Sequence, residues 1–320
     1  MPDQTPPDER TAPGPYAVHT AQVEEWAAVA DGCVAVFAQY PSRPEPAPVV
    51  VFAHGLGGSH VGYAAFGRHL ASRGYAVLHP QFLDAFAVVR EPLGMSAADE
   101  HAWPRDPALR AAMHELLFDP AHWASRVVRM HAVIDSLAER RLPIDLRPDR
   151  VVVAGHSYGA YTAQLVLGTR LSGVELDTSG FRHPAAAAGL LLSPQGSGDR
   201  GLTPRSWDEL DTPLLVVTAT HDLGPHGEDV SWRREPYDAA PARPKHLAIV
   251  RDAGHLLGGI DVTGDEVPAD PGTVQAVSCV GAAFADLVHG DRAAAAWLAS
   301  GPFPATLHHE FEHGLGEEIR

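Results

Sequence analysis

The chain has 320 residues, 45% hydrophobic and 20% charged, a globular composition long enough for one large α/β domain or two smaller ones. Aspartate and glutamate total 40 against 24 for lysine and arginine, and the formal charge of 24 − 40 = −16 repels a phosphate backbone and an anionic bilayer alike. Nucleic acid and membrane are therefore not expected partners, and Lys245 is the single lysine, so no lysine-rich patch reverses that expectation. The two cysteines, Cys33 and Cys279, are too few and too far apart for a disulfide framework or a cysteine metal site.

Residues 1–15, MPDQTPPDERTAPGP, read as a disordered segment. They lack a basic stretch followed by an apolar one, and the longest apolar run, Ala185 to Leu192, is far too short to span a bilayer. A soluble cytoplasmic protein is the expectation. Residues 16–300 are expected to form a single domain, with 301–320 as a tail.

Segments Ala17 to Val23 and Cys33 to Tyr40 look like an antiparallel pair at a sheet edge. From Val49 onward, strand-like apolar runs alternate with helical ones: Val49 to His54, Tyr75 to Pro80, Val151 to Gly155, Ala188 to Pro194, Pro213 to Thr220 and His246 to Ala253. Helices are expected over Gly62 to Gly74, Ser125 to Arg141, Ala160 to Gly168 and Val274 to Gly290. Continuous rather than alternating apolar strands joined by helices indicate a mostly parallel sheet of about eight strands, covered on both faces. Residues 82–123 break this rhythm with aromatics, prolines and charges. They would leave the carboxyl edge of the strand ending near Pro80, where ligands bind in open α/β sheets, so a cap or pocket wall is expected there.

Val151 to Gly159 reads VVVAGHSYG, an apolar run that turns abruptly through G-x-S-x-G. A serine at the apex of a tight strand-to-helix turn sits in a strained backbone, and its neighbours two residues away on each side must be small. Gly155 and Gly159 meet that demand and make Ser157 a candidate nucleophile. A serine hydroxyl needs a histidine base, and the histidine needs a carboxylate to fix its tautomer. Both are sought downstream, beyond the carboxyl ends of later strands. PLLVVTAT runs into His221-Asp222, making Asp222 the candidate acid; HLAIVRDA runs into Gly254-His255, making His255 the candidate base. Asp208 and Asp211 precede their strand and would project from the wrong end, whereas Asp252, Glu228 and Asp229 stay open as acids, and His221 and His226 as bases. The backbone N–H of Tyr158 and that of Leu56, in the turn HGLGGS from His54 to Ser59, are candidate oxyanion donors. HGLGGS matches neither the dinucleotide nor the Walker fingerprint. By position alone Phe82, Leu83 and Gln195 are candidate substrate contacts.

The set HGLGGS (54–59), ASRGYAVLHP (71–80), DPAHWASRVVRMHAVID (119–135), GHSYGAYTAQ (155–164), LLLSPQG (190–196), VVTATHDLGP (216–225) and GHLLGG (254–259) resembles the α/β-hydrolase superfamily. Within it the chain is most similar to the bacterial group related to platelet-activating-factor acetylhydrolases and predicted dienelactone hydrolases. The resemblance spans roughly Val49 to Leu298. It implies an α/β-hydrolase fold and serine-dependent hydrolysis of small carboxylic esters without a cofactor or metal. It also implies Ser157, Asp222 and His255 as triad, with Leu56 and Tyr158 as oxyanion donors. Dienelactone hydrolases proper use a cysteine nucleophile, so their substrate does not carry over to a chain with serine there. A peptidase of the same fold and a catalytically silent binding protein are the competing readings; dehalogenase or epoxide-hydrolase chemistry would need a carboxylate at position 157.

The tail holds His309-Glu310-Phe311-Glu312-His313, formally H-E-x-x-H, a zinc motif when carried on a helix. Gly314 and Gly316 follow at once, and the position of a metzincin's third histidine is Ile319. The expectation is a solvated end rather than a metal site.

Overall fold

A computed structural model describes residues 10–96, 106–139, 141–264, 266–301, 303–304 and 306–312. Among these, nine strands form one sheet in the order β1-β2-β4-β3-β5-β6-β7-β8-β9. The hairpin β1 (Val18–Val29) and β2 (Gly32–Pro41) is antiparallel and longer than the sequence segments that announced it, and β2 pairs antiparallel with β4 (Ala76–Pro80). From β4 the sheet runs parallel through β3 (Ala47–Ala53), β5 (Leu146–His156), β6 (Ala186–Leu192), β7 (Leu214–His221) and β8 (Lys245–Gly254). The alternating pattern implied such a parallel sheet, and the architecture is the α/β-hydrolase fold that the resemblance implied.

Alternate residues of the central strands serve two cores, because successive strand side chains point to opposite faces. Val49, Val51 and Ala53 of β3 join Val151 and Val153 of β5 on the face covered by α4 (Pro120–Asp135), α5 (Tyr158–Val166) and α6 (Val230–Ala239). Val50, Phe52, Val152 and Ala154 join the opposite core, covered by α1 (Ala64–Ser72), α7 (Pro271–Val288) and α8 (Arg292–Ser300). With both faces covered, the central strands need apolar residues at every position. The 18-residue α7 is long and apolar enough to cross a bilayer, but 72% of it lies inside the fold, packed on α1 and α8.

Helix starts follow capping chemistry more closely than apolar periodicity. Asp119 accepts the Ala121 N–H at 2.9 Å with Pro120 behind it, so α4 begins five residues before the expected Ser125. Asp270 caps α7 by accepting the Gly272 and Thr273 N–H groups, and again proline follows the cap.

Two terminal expectations are corrected. Residues 10–15 are pinned to the domain: Arg10 pairs with Asp286 at 2.9 Å and Asp291 at 2.8 Å, and Gly14 N–H donates to Ser72 Oγ at 2.8 Å. Residues 1–9 lie outside the described residues. The tail contributes a ninth strand, β9 (Leu307–Glu312), antiparallel to β8. Unsatisfied backbone groups on the β8 edge explain its docking. His309 and Glu310 therefore lie on a strand, where the helical spacing that unites the two histidines of H-E-x-x-H does not apply, and His313 lies outside the described residues. No group of three or more metal-ligating side chains occurs among the described residues.

Among the described residues burial pushes six histidines down, His60 and His131 moderately and four further: His69 on α1 to about 4, His79 on β4 to about 3, His54 after β3 to about 4 and His156 at the end of β5 to about 3. A histidine held below its unfolded pKa stabilises the fold fully above about pH 6.5 and loses that contribution as pH falls toward the folded value. The urea midpoint should therefore hold above about pH 6.5 and fall between there and about pH 3, with these four groups adding about three to four protons taken up on unfolding near pH 5. A midpoint unchanged down to about pH 4 would contradict their neutral burial.

Candidate active site

The parallel strands all present their carboxyl ends to one edge, and the expected residues gather there. β5 ends at His156 and is followed at once by Ser157, with φ 55° and ψ −121°, a backbone conformation that a β-carbon disfavours. The glycines around it are sterically forced. A β-carbon on Gly155 would lie 2.3 Å from the Gly159 carbonyl, and one on Gly159 would lie 1.9 Å from the Ala53 oxygen of β3. The elbow is thus pressed against the neighbouring strand end, which seats α5 directly behind the serine.

β7 delivers Asp222 and β8 delivers His255 to the same edge. His255 Nε2 lies 2.8 Å from Ser157 Oγ, and Nδ1 lies 2.8 Å from Asp222 Oδ1. With Nδ1 carrying the proton toward the carboxylate, Nε2 is left to accept the serine proton. Asp222 is fully buried; its Oδ2 accepts the Thr218 hydroxyl at 3.0 Å and its Oδ1 faces Arg233 Nε at 3.0 Å. Burial would raise this carboxyl, but the His255 hydrogen bond and the Arg233 charge outweigh it and hold the group below its ordinary value. Asp222 is thus held as an anion against His255.

The competing residues are otherwise engaged. Asp229 caps α6, accepting Ser231 N–H at 2.9 Å; Glu228 accepts the His226 N–H; His226 itself pairs with Asp199 at 3.1 Å. Asp252 and His221 are exposed.

The turn that carries Leu56 lies against the elbow that carries Tyr158: a β-carbon on Gly55, at the head of the turn, would lie 3.4 Å from the His156 carbonyl oxygen and 3.5 Å from Ser157 Cβ. Neither backbone N–H meets an acceptor among the described residues. Tyr158 opens the first turn of α5, where helix N–H groups lack internal partners and favour negative charge.

Phe82 requires a correction. It is fully buried beneath the turn, its ring edge-on to His54 and its face against Arg126, with its N–H donating to His54 Nε2 at 3.3 Å. It supports the turn rather than lining the site. Leu83 beside it is about a third exposed, at 36%. Gln195 is buried behind the end of β6, its carbonyl accepting from Gln164 and its Oε1 without a partner among the described residues.

The 82–123 excursion is fastened to the glycine turn. Gly57 N–H donates to the Asp84 carbonyl at 3.1 Å and Phe86 N–H to the Gly57 carbonyl at 3.2 Å. Its described helices, α2 (Phe86–Val89) and α3 (Pro107–Phe118), bury Phe86, Val89, Leu109 and Met113 in a small separate core against which Leu56 packs.

Two arginines that sequence reasoning missed hold this edge together. Arg126 of α4 is 1% exposed and lies between the rings of Phe82 and Tyr158, 3.9 Å and 4.5 Å from their centroids. It reaches Asp84 at 2.6 Å, the His54 carbonyl at 2.6 Å and Thr162 Oγ1 at 2.7 Å; Thr162 in turn donates to the Tyr158 carbonyl. One guanidinium thus spans both strand ends that carry the oxyanion candidates. Burial would raise the Asp84 carboxyl, but Arg126 holds it well below the usual carboxylate range. Arg233 of α6 similarly ties the acid loop to the end of β6, donating to the Ser193, Pro194 and Leu223 carbonyls. Its Nη2 also lies 3.2 Å from His255 Nδ1, a close approach of two N–H groups, because that ring proton points to Asp222.

Residues 33–104 match the family model described as platelet-activating factor acetylhydrolase, isoform II. The matched stretch runs from β2 through the glycine turn into the excursion and stops before the elbow. Together with the sheet topology it bears out the resemblance to the α/β-hydrolase superfamily and its platelet-activating-factor acetylhydrolase group, and it supports a hydrolase. No curated protein matches the chain.

The crowding at the elbow yields a stability test. Gly159→Ala should lower unfolding free energy by more than about 3 kcal/mol, since its methyl cannot be seated without moving β3. Gly180→Ala, where nothing lies within 4 Å of the added carbon, should stay within about 0.5 kcal/mol of the parent. Equal urea midpoints for the two variants would contradict the packing described.

Proposed function

We propose that this hydrolase is a serine esterase acting on small carboxylic esters with short to medium acyl chains through an acyl-enzyme. The observation that carries the reading is the continuous hydrogen-bonded series Asp222–His255–Ser157, each link at 2.8 Å, together with two nearby backbone N–H groups that meet no acceptor among the described residues. Ser157 Oγ attacks the ester carbonyl as His255 Nε2 takes its proton, and Asp222 stabilises the imidazolium that forms. The Leu56 and Tyr158 N–H groups receive the negative charge on the tetrahedral oxygen. His255 then returns the proton to the departing alkoxide, and a water, deprotonated in the same way, releases the acid.

An apolar acyl group suits the surroundings. Leu56 packs on the small Phe86, Val89, Leu109 and Met113 core, and the exposed Leu223 and Leu256 directly follow Asp222 and His255 in the chain.

Hydrolysis of p-nitrophenyl esters of graded acyl length should begin with a burst of p-nitrophenol equal to the enzyme present. Ser157→Ala should lower kcat by at least about 10⁴-fold. Matched anilides should react far more slowly than the esters. Full turnover in Ser157→Ala would overturn the reading, and comparable ester and anilide rates would replace the esterase with an amidase.

A further inference from the structure

His156, the residue that enters the nucleophile turn, is a buried titratable group that the acyl-transfer steps do not use. Its ring is 2% exposed and makes two hydrogen bonds with opposite ends. Nε2 lies 2.8 Å from the main-chain carbonyl of His255, and Nδ1 lies 3.1 Å from the hydroxyl of Tyr63. That hydroxyl also sits 3.1 Å from the backbone N–H of Gly55.

The polarity of this series is forced by its ends. A carbonyl can only accept, so His156 Nε2 carries the proton; a neutral ring then has Nδ1 free to accept from the Tyr63 hydroxyl, whose oxygen accepts from Gly55 N–H. Four groups from four chain segments are thereby satisfied in one direction: Gly55 to Tyr63 to His156 to His255. One end is the residue before Leu56. The other is the backbone of His255, whose carbonyl also accepts the Ser193 hydroxyl at 3.1 Å.

Tyr63 is held in place at a cost. It adopts φ 61° and ψ 22°, a left-handed conformation that a bulky side chain rarely takes, while its ring is buried against Phe52 and His156. Such strain persists where surrounding contacts over-determine it. A leucine at 156 and a phenylalanine at 63 could fill these volumes but would take the acceptor from the buried Gly55 N–H and a donor from the His255 carbonyl, so the polar atoms tie two backbone segments that packing alone would not.

We infer that His156 is a positioning residue that, with Tyr63, couples the oxyanion turn to the base, fixing the main chain of His255 and of Gly55 in mutual register. The inference rests on the serine-esterase reading. When His255 accepts the serine proton its ring must keep Nε2 on Ser157 and Nδ1 on Asp222; a backbone anchored through its carbonyl restricts the swing that would break either contact. The same anchor ties the Leu56 side of the oxyanion turn to the base, so donor and base hold their spacing through both halves of the reaction. A displacement of about 1 Å at such a site costs on the order of 100-fold in rate.

The test compares His156→Phe, His156→Gln and Tyr63→Phe with the parent, using p-nitrophenyl butyrate turnover and the second-order rate of labelling by a fluorophosphonate probe, both normalised to the labelled fraction so that misfolded protein does not count. His156→Phe should lose about 10- to 100-fold in kcat and in labelling rate with KM changed less than about threefold. Tyr63→Phe should fall in the same direction. His156→Gln, whose amide N–H can still reach the His255 carbonyl, should recover most of the loss. Parent-like kcat and labelling rates in both His156→Phe and Tyr63→Phe would overturn the inference while leaving the esterase intact, as would a loss seen only in the labelled fraction. A parent enzyme that the probe does not label at Ser157 would overturn both.

Discussion

The clearance between the elbow and the neighbouring strand governs the site. A β-carbon at Gly159 would fall 1.9 Å from the Ala53 oxygen, so the backbone of β5 can turn into α5 only by running in van der Waals contact with the end of β3. That contact does three things together. It leaves Ser157 at φ 55° and ψ −121°, it starts α5 at the very next residue, and it keeps the glycine turn after β3 so close that a β-carbon on Gly55 would lie 3.5 Å from Ser157 Cβ. The candidate nucleophile and the two candidate oxyanion donors are placed by one packing constraint. The sheet then supplies the rest, because parallel strands send every following loop to the same edge.

Two buried guanidinium groups hold what backbone packing leaves loose. Arg126 binds the His54 carbonyl on one side and, through Thr162, the Tyr158 carbonyl on the other, fixing the glycine turn and the start of α5 relative to each other. Arg233 binds carbonyls of the β6 and β7 loops and the carboxylate of Asp222. A buried charge with a single partner would be costly. Each of these arginines is surrounded by several acceptors and stacked on aromatic rings, the arrangement in which a buried guanidinium can be tolerated.

Legibility in the sequence followed how local the determining physics is. The elbow was readable because its glycines are dictated by sterics within five residues, and Asp222 and His255 because each directly follows a strand whose direction the apolar runs establish. The edge hairpin and the alternating core were readable for the same reason. Arg233 was not: it adjoins Arg234, which pairs with Asp238 and Glu310 near the surface, and nothing in the dipeptide distinguishes the buried cation from the ion-paired neighbour. Phe82 lies near the expected site, but its burial depends on a ring edge and an arginine from elements 28 and 44 residues away. β9 carries His308, His309 and Glu310, a polar pattern that resembles a solvated tail and suits the outermost strand of a sheet.

The central claim is that Ser157 carries the acyl group between the two halves of the reaction. Acid quenching during steady-state hydrolysis of an activated ester, followed by peptide mass mapping, tests it most directly. The account predicts one added acyl mass, confined to the peptide containing Ser157. Sustained hydrolysis with no acylated peptide, or with the acyl group on another residue, would contradict it.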